Sequence, residues 1–192
     1  SRLTAQAACE LNYGLMLHCG QSDSHIDQVQ SLLEDAANVN YVDRHGKSAL
    51  VAAVRSNGRA LCRLLVDHAA DAGLAAGGSH PLVEAVSLGH LEIVQLLLEA
   101  SADPRARRPS AHRRATQRRP SLHISELVGD VTGTGDTCLH LAVAGGHSEL
   151  TSLLLERRAS VNARDQFRVK PLALAHSEPL SHLLLAARAM IE

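Results

Sequence analysis

Twelve histidines and four cysteines are the residues of this 192-residue chain best suited to hold a metal or act on a substrate. A zinc site needs closely spaced ligand pairs that converge on one ion. Cys9, Cys19, Cys62 and Cys138 form no C-x-x-C pair, and no H-E-x-x-H occurs. No metal site is therefore expected. Gly129 to Asp136 reads G-D-V-T-G-T-G-D and has the glycines of a phosphate-cradling loop. It lacks the G-K-[ST] ending, and Asp136 at a helix start would repel an anion. A hinge ahead of the next helix is the better reading. Ser22-Asp23-Ser24-His25 gathers the residue types of a hydrolase triad, but no nucleophile elbow accompanies them. They read as a polar turn between helices. The aromatics are only Tyr13, Tyr41 and Phe167, which is poor material for a deep ligand pocket. Neither enzymatic activity nor a cofactor is expected.

Arginine is the other reactive cluster. Seven arginines (105, 107, 108, 113, 114, 118, 119) lie between Pro104 and Ser121 with no acid among them. The whole chain has a formal charge of −1, so the remainder carries −8. Such segregation marks a separate solvated segment. Ser110, Thr116 and Ser121 each follow a pair of arginines placed two and three residues earlier. The pattern resembles the substrate motif of basophilic kinases such as the cyclic-AMP-dependent kinase, whose acidic pockets pair with such arginines. Phosphates of about −1.5 to −2 charge each would neutralise most of the segment. A plain solvated loop, a nuclear-import signal and salt-sensitive contact with a nucleic-acid backbone are the competing readings. No aromatic lies among the arginines, so base stacking has no support and nucleic acid is not an expected partner.

What positions these residues is a helical period. Leu139, Ala142 and Val143 fall at i, i+3, i+4, Gly145-Gly146 breaks the pattern, and Leu150, Leu153 and Leu154 resume it. Two short helices cannot bury both apolar faces alone, so the unit needs neighbours like itself. Thr137-Cys138-Leu139-His140 has counterparts at Lys170-Pro171-Leu172-Ala173, His80-Pro81-Leu82-Val83, Ser48-Ala49-Leu50-Val51 and Leu15-Met16-Leu17-His18. Most steps are 32 or 33 residues, and the step from His80 to Thr137 is 57. The second-helix signal recurs as Leu32-Leu33, Leu64-Leu65-Val66, Leu96-Leu97-Leu98 and Leu153-Leu154-Leu155.

A period near 33 with T-P-L-H-like and G-H motifs resembles the ankyrin-repeat family, from about Leu15 onward. The expected fold is an all-α solenoid of about five helix-turn-helix repeats with short hairpin loops, forming one domain over residues 1–192. An N-terminal cap is expected at 1–14 and repeats at 15–42, 43–75 and 76–103. An inserted basic, disordered loop follows at 104–134, with Leu122, Ile124, Leu127 and Val128 able to form one docking helical turn. A fourth repeat is expected at 135–163, and a truncated fifth at 164–192 closes the stack. The Gly- and Ala-rich stretch 73–79 should make a looser hairpin.

The resemblance implies roles for further residues. His18 and His140 fill the T-P-L-H slot, which bonds neighbouring loops, and His25, His90 and His147 fill the G-H slot. Asp43 and Gly46 shape a projecting hairpin. Ala36, Ala69, Ser101 and Arg158 stand where the family places a left-handed glycine. A non-Gly residue there costs about 1–2 kcal/mol, so either the helix ends are remodelled or the fold leans on a partner. The implied function is non-catalytic capture of another protein, as a scaffold or adaptor, through the concave face of the first helices and the hairpin tips. Arg44, His45, Lys47 and Arg55 are the candidate contacts on one wall, and Arg164, Gln166, Phe167 and Arg168 at the last hairpin. Phe167 serves either as an anchor or as a cover for the C-terminal cap. Asn40 and Asn162, in V-N sequences, resemble sites of an intracellular asparaginyl hydroxylase, against a plain hairpin role bonding their own backbone. Unpaired cysteines suit a reducing, intracellular setting, cytoplasmic or nuclear. No membrane span is expected. Ser1 suggests a monomeric module cut from a larger chain. In the competing readings the arginine loop is the working part, or the domain is the regulatory arm of a larger enzyme.

Overall fold

A computed structural model of the chain describes residues 2–21, 23–35, 37–72, 80–102 and 135–189. Nine α-helices and two 3-10 helices occur among the described residues, and no strand longer than the isolated Val42–Ser48 bridge. The helices are α1 (Arg2–Cys19), α2 (Ile26–Glu34), α3 (Ala49–Arg55), α4 (Arg59–Asp67), α5 (Pro81–Ser87), α6 (Leu91–Ala102), α7 (Cys138–Ala144), α8 (Ser148–Glu156) and α9 (Glu178–Ala189). The 3-10 turns are Asp23–His25, and Pro171–Leu174 where the last pair would have its first helix.

Each short first helix starts on a local signal. The Ser48 hydroxyl accepts the Val51 N–H at 3.3 Å ahead of α3, and Pro81 supplies the fixed φ that suits the first position of α5. Leu50, Ala53 and Val54 then fall on one buried face, as do Leu82, Ala85 and Val86, and Leu139, Ala142 and Val143. Alanine at the middle position lets these helices approach closely. α1, α3, α5 and α7 stack in sequence as an inner layer that ends on the Pro171–Leu174 turn. α2 packs on α4, α4 on α6, and α8 on α9 as an outer layer. One apolar cluster runs from Leu15 to Leu184. This is an all-α solenoid. α5 and α7 pack directly, so the inner layer is continuous across the 57-residue step.

The register departs from the sequence reading in two places. In the first pair Leu15 is fully buried, while Leu17 is 49 % exposed. The leucine equivalent to Leu50 is therefore Leu15, and α1 continues unbroken across residues 14 and 15. In the second pair Leu61, Cys62 and Leu65 form the core face, and Leu64 is only half-buried at its margin. The recurring leucine runs place Leu64, Leu97 and Leu154 in one shared interior, and of these Leu97 and Leu154 are buried.

The missing glycines have a clear outcome. Ala69 (φ 64°) and Arg158 (φ 65°) adopt the left-handed conformation despite their side chains. Ala70 N–H reaches Leu65 C=O at 2.8 Å, and Ala69 N–H reaches Val66 C=O at 2.9 Å. Ala159 and Arg158 donate in the same way to Leu154 and Leu155, both at 2.9 Å. These bond pairs define the Schellman motif, which satisfies the last helical carbonyls. At Ser101 the helix instead continues to Ala102. Ala36, the 73–79 hairpin and residues 103–134, with the expected docking turn and most of the glycine-rich loop, lie outside the described residues.

Candidate functional site

The connections from an outer helix to the next inner helix are described at two hairpin tips, residues 43–47 and 165–169, while the turns inside the second, third and fourth pairs are three residues long. The two tips are built alike. Asp43 Oδ1 accepts the N–H groups of His45 and Lys47, both at 2.8 Å. Asp165 Oδ1 accepts those of Phe167 and Val169, both at 2.8 Å. The backbone bonds match as well: Asp43 to Lys47 at 2.9 Å, and Asp165 to Val169 at 3.1 Å. This is the Asx turn that lets aspartate fold a tip without tertiary contacts. The Lys47 N–H above all holds the Asp43 carboxyl below the ordinary carboxylate range, with the His45 N–H and the His45 and Lys47 charges adding to it.

The tips differ in what they display. Arg44 and His45 are exposed at the first, while Lys47 is half-buried. Arg164, Gln166 and Arg168 are exposed at the second, and Phe167 is 76 % exposed. Phe167 therefore does not cover the C-terminal cap. Gly46 (φ 74°) relaxes the first tip, whereas Arg168 (φ 61°) holds the corresponding strained position in the second.

Other expected contacts have fixed partners. The Arg55 guanidinium bonds the Glu84 carboxylate at 2.7 Å, which ties α3 to α5, so Arg55 is not a free contact. Asn40 does not serve its own hairpin alone. Its Nδ2 donates to Ala69 C=O at 3.2 Å and its Oδ1 accepts Asp71 N–H at 2.8 Å, clipping one hairpin to the next. Asn162 has no such clip and is exposed, its Oδ1 accepting only from Lys170 Nζ at 3.2 Å. Ser110, Thr116 and Ser121 lie outside the described residues.

The histidines divide. His140 Nε2 donates to Val169 C=O at 3.1 Å, while its Nδ1 accepts Thr137 N–H at 3.2 Å. It bonds the neighbouring loop as its motif implies, and the two bonds fix its tautomer. The His147 ring lies against the preceding pair: a Cβ on Gly89 would sit 2.5 Å from Cε1. His18 is different. It makes no bond to a neighbouring loop through Nδ1 and stacks on His25 with centroids 5.3 Å apart. The shifted register of α1 explains this. Among the described residues no group of three or more His, Cys, Asp or Glu converges on a common point. Cys19 and Cys62 are buried and burial pushes both thiols up to about 12, which keeps them protonated.

One structural residue escaped the sequence reading. Asp23 leaves its own pair and caps α4, accepting Leu61 N–H at 3.1 Å and Ala60 N–H at 3.3 Å. Its position ahead of α2 signals a local turn, and nothing in the spacing points 37 residues onward.

A family model described as "Ankyrin repeats (3 copies)" matches residues 15–108, and one described as "Ankyrin repeat" matches residues 134–166. The chain belongs to the ankyrin-repeat family. It is similar to the Ankyrin repeat and KH domain-containing protein mask-1 of Caenorhabditis elegans, 31 % identical over 176 residues, covering 87 % of this chain and 7 % of that protein. It is also similar to the Nuclear factor NF-kappa-B p105 subunit of Gallus gallus, 27 % identical over 157 residues, covering 74 % of this chain and 16 % of that one. The chain thus spans a small part of the length of these curated relatives. Ankyrin repeats generally mediate protein–protein interaction, and the family is typically non-enzymatic. Among the described residues of this ankyrin stack no helix is long and apolar enough to cross a membrane.

Proposed function

We propose that this chain is a non-catalytic binding module that captures a partner protein along its hairpin edge, with Phe167 as the apolar anchor. One observation carries the reading. The chain's single phenylalanine stands 76 % exposed at a hairpin apex, outside the core, beside Arg168. Exposed aromatics beside arginine are the residues that dominate binding energy when a partner buries them. The left-handed Arg168 supports the same reading. Strain retained at an exposed tip suits a residue kept for contact rather than for packing.

Buried thiols at Cys19 and Cys62, held protonated, support an intracellular setting for this module. Of the two candidate asparagines, Asn162 is the one open to enzymatic modification, because both ends of the Asn40 amide are engaged with the next hairpin. The test of function is quantitative capture from cell extract by the full chain and by Phe167→Ala. Loss of the same captured proteins on substitution, with the helical spectrum unchanged, supports the anchor. Equal capture by both chains refutes it.

A further inference from the structure

Among the described residues, the hairpin apices and the outer helices carry opposite charge, and the inference drawn from this deepens the reading above, on which it rests. Arg44, Lys47, Arg164, Arg168 and Lys170 stand at the two described apices. Asp43 and Asp165, the carboxylates there, turn inward onto their own backbone N–H groups. The first four cations make no ion pair among the described residues, whose salt bridges are Arg55–Glu84 and Arg63–Asp67. The outer helices reverse the sign. Asp27, Glu34, Glu92, Glu99, Glu149 and Glu156 are exposed on α2, α6 and α8. The basic side chains within α2, α4, α6 and α8 are Arg59 and Arg63, and Arg63 is paired with Asp67 at 3.4 Å.

We infer that the hairpin edge receives an acidic, extended segment of another protein, one that brings a large apolar residue to Phe167. Two independent observations converge on this occupant. The first is charge. The cations at the two described apices attract an acidic chain, while the carboxylates of the outer helices repel it, so the potential both selects the partner and orients it. A basic partner would be drawn to the outer helices instead. The second is the last apex, where an aromatic ring stands next to an arginine held in a conformation that glycine adopts freely. Glycine fills that position in the first tip, so the fold itself does not require the arginine side chain. Exposed cations contribute little energy each, and Phe167 supplies the anchor that charge alone does not.

The experiment is a selection of short random displayed peptides on the full chain. The enriched peptides are then synthesised and titrated at low and high salt. The inference expects peptides of net negative charge with one Leu, Phe or Trp. Their affinity should fall at high salt, and should fall about tenfold or more for Arg44→Glu with Arg168→Glu, and for Phe167→Ala. Circular dichroism shows whether each variant keeps its helices, and charge-conserving Arg168→Lys should restore most of the affinity. Neutral or basic peptides that still depend on Phe167 overturn the charge inference and leave the anchored edge standing. Peptides indifferent to Phe167→Ala, or no enrichment at all, overturn both. A salt-sensitive dimer in sedimentation that Arg44→Glu abolishes assigns the edge to a second copy, whose outer helices are acidic, and also overturns the inference.

Discussion

Replacing Ala69 and Arg158 by glycine should stabilise this protein, although each change removes side-chain atoms. Both residues sit at the left-handed position of a complete Schellman motif, at φ 64° and 65°. For an L-residue that conformation costs about 1–2 kcal/mol, because Cβ crowds the following carbonyl. Glycine removes the crowding but gives the unfolded chain more freedom, an opposing term of about 0.5–1 kcal/mol. The net expectation is about 0.5–1 kcal/mol of added stability at each site. The two sites belong to different helix pairs, α3–α4 and α7–α8, and share no partner, so the double variant should gain about 1–2 kcal/mol. For a chain of this size that is a rise of about 2–8 °C in melting temperature. The assay is urea denaturation followed at a helical wavelength, comparing midpoints at constant slope. A lower midpoint in both single variants would refute the account of these helix ends.

Four further outcomes follow from the geometry. Leu154→Ala empties a fully buried site and should cost about 2–5 kcal/mol, whereas Leu64→Ala at the margin should cost clearly less, both read from urea midpoints. Asp23→Ala uncaps α4 and should cost about 1 kcal/mol, with faster amide exchange at Ala60 and Leu61 as its local signature. Gly89→Ala places a Cβ 2.5 Å from the His147 ring at φ 78°, so it should lower the melting temperature, and His147→Ala should relieve part of that loss. Asp43 has a folded pKa below its unfolded value, so its stabilising contribution is complete above the ordinary carboxylate range and is lost as pH falls through the depressed value. Acid titration followed by NMR at His45 and Lys47 amides should show that loss, and Asp43→Asn should remove the pH dependence.

Much of the architecture was legible because it repeats. Leu50, Leu82 and Leu139 recur in phase, and a helix pair with one apolar face on each member has no stable solution except stacking. The register of the first pair was not legible. Leu15 and Leu17 are equally good leucines, and only the packing of Cys19 and α3 selects Leu15. Leu64 and Leu65 posed the same ambiguity, settled by Leu61 and Cys62 at the preceding turn. The first tip was readable from Asp43 and Gly46 because an Asx turn is local, whereas the Asp165 turn escaped notice because Arg168 stands in place of the glycine. The long-range ties were not, since Asp23 and Asn40 look like ordinary turn residues in sequence and reach 37 and 31 residues onward. Phe167 stood out by composition, but its role depended on exposure, which sequence does not supply.

The most direct measurement is amide hydrogen exchange of the full chain, free and bound to the protein it captures. Protection gathered at residues 164–170 and at the Arg44–Lys47 apex, with the outer helices unchanged, is the predicted result. Protection confined to α4, α6 and α8, with both apices exchanging as in the free chain, would contradict it.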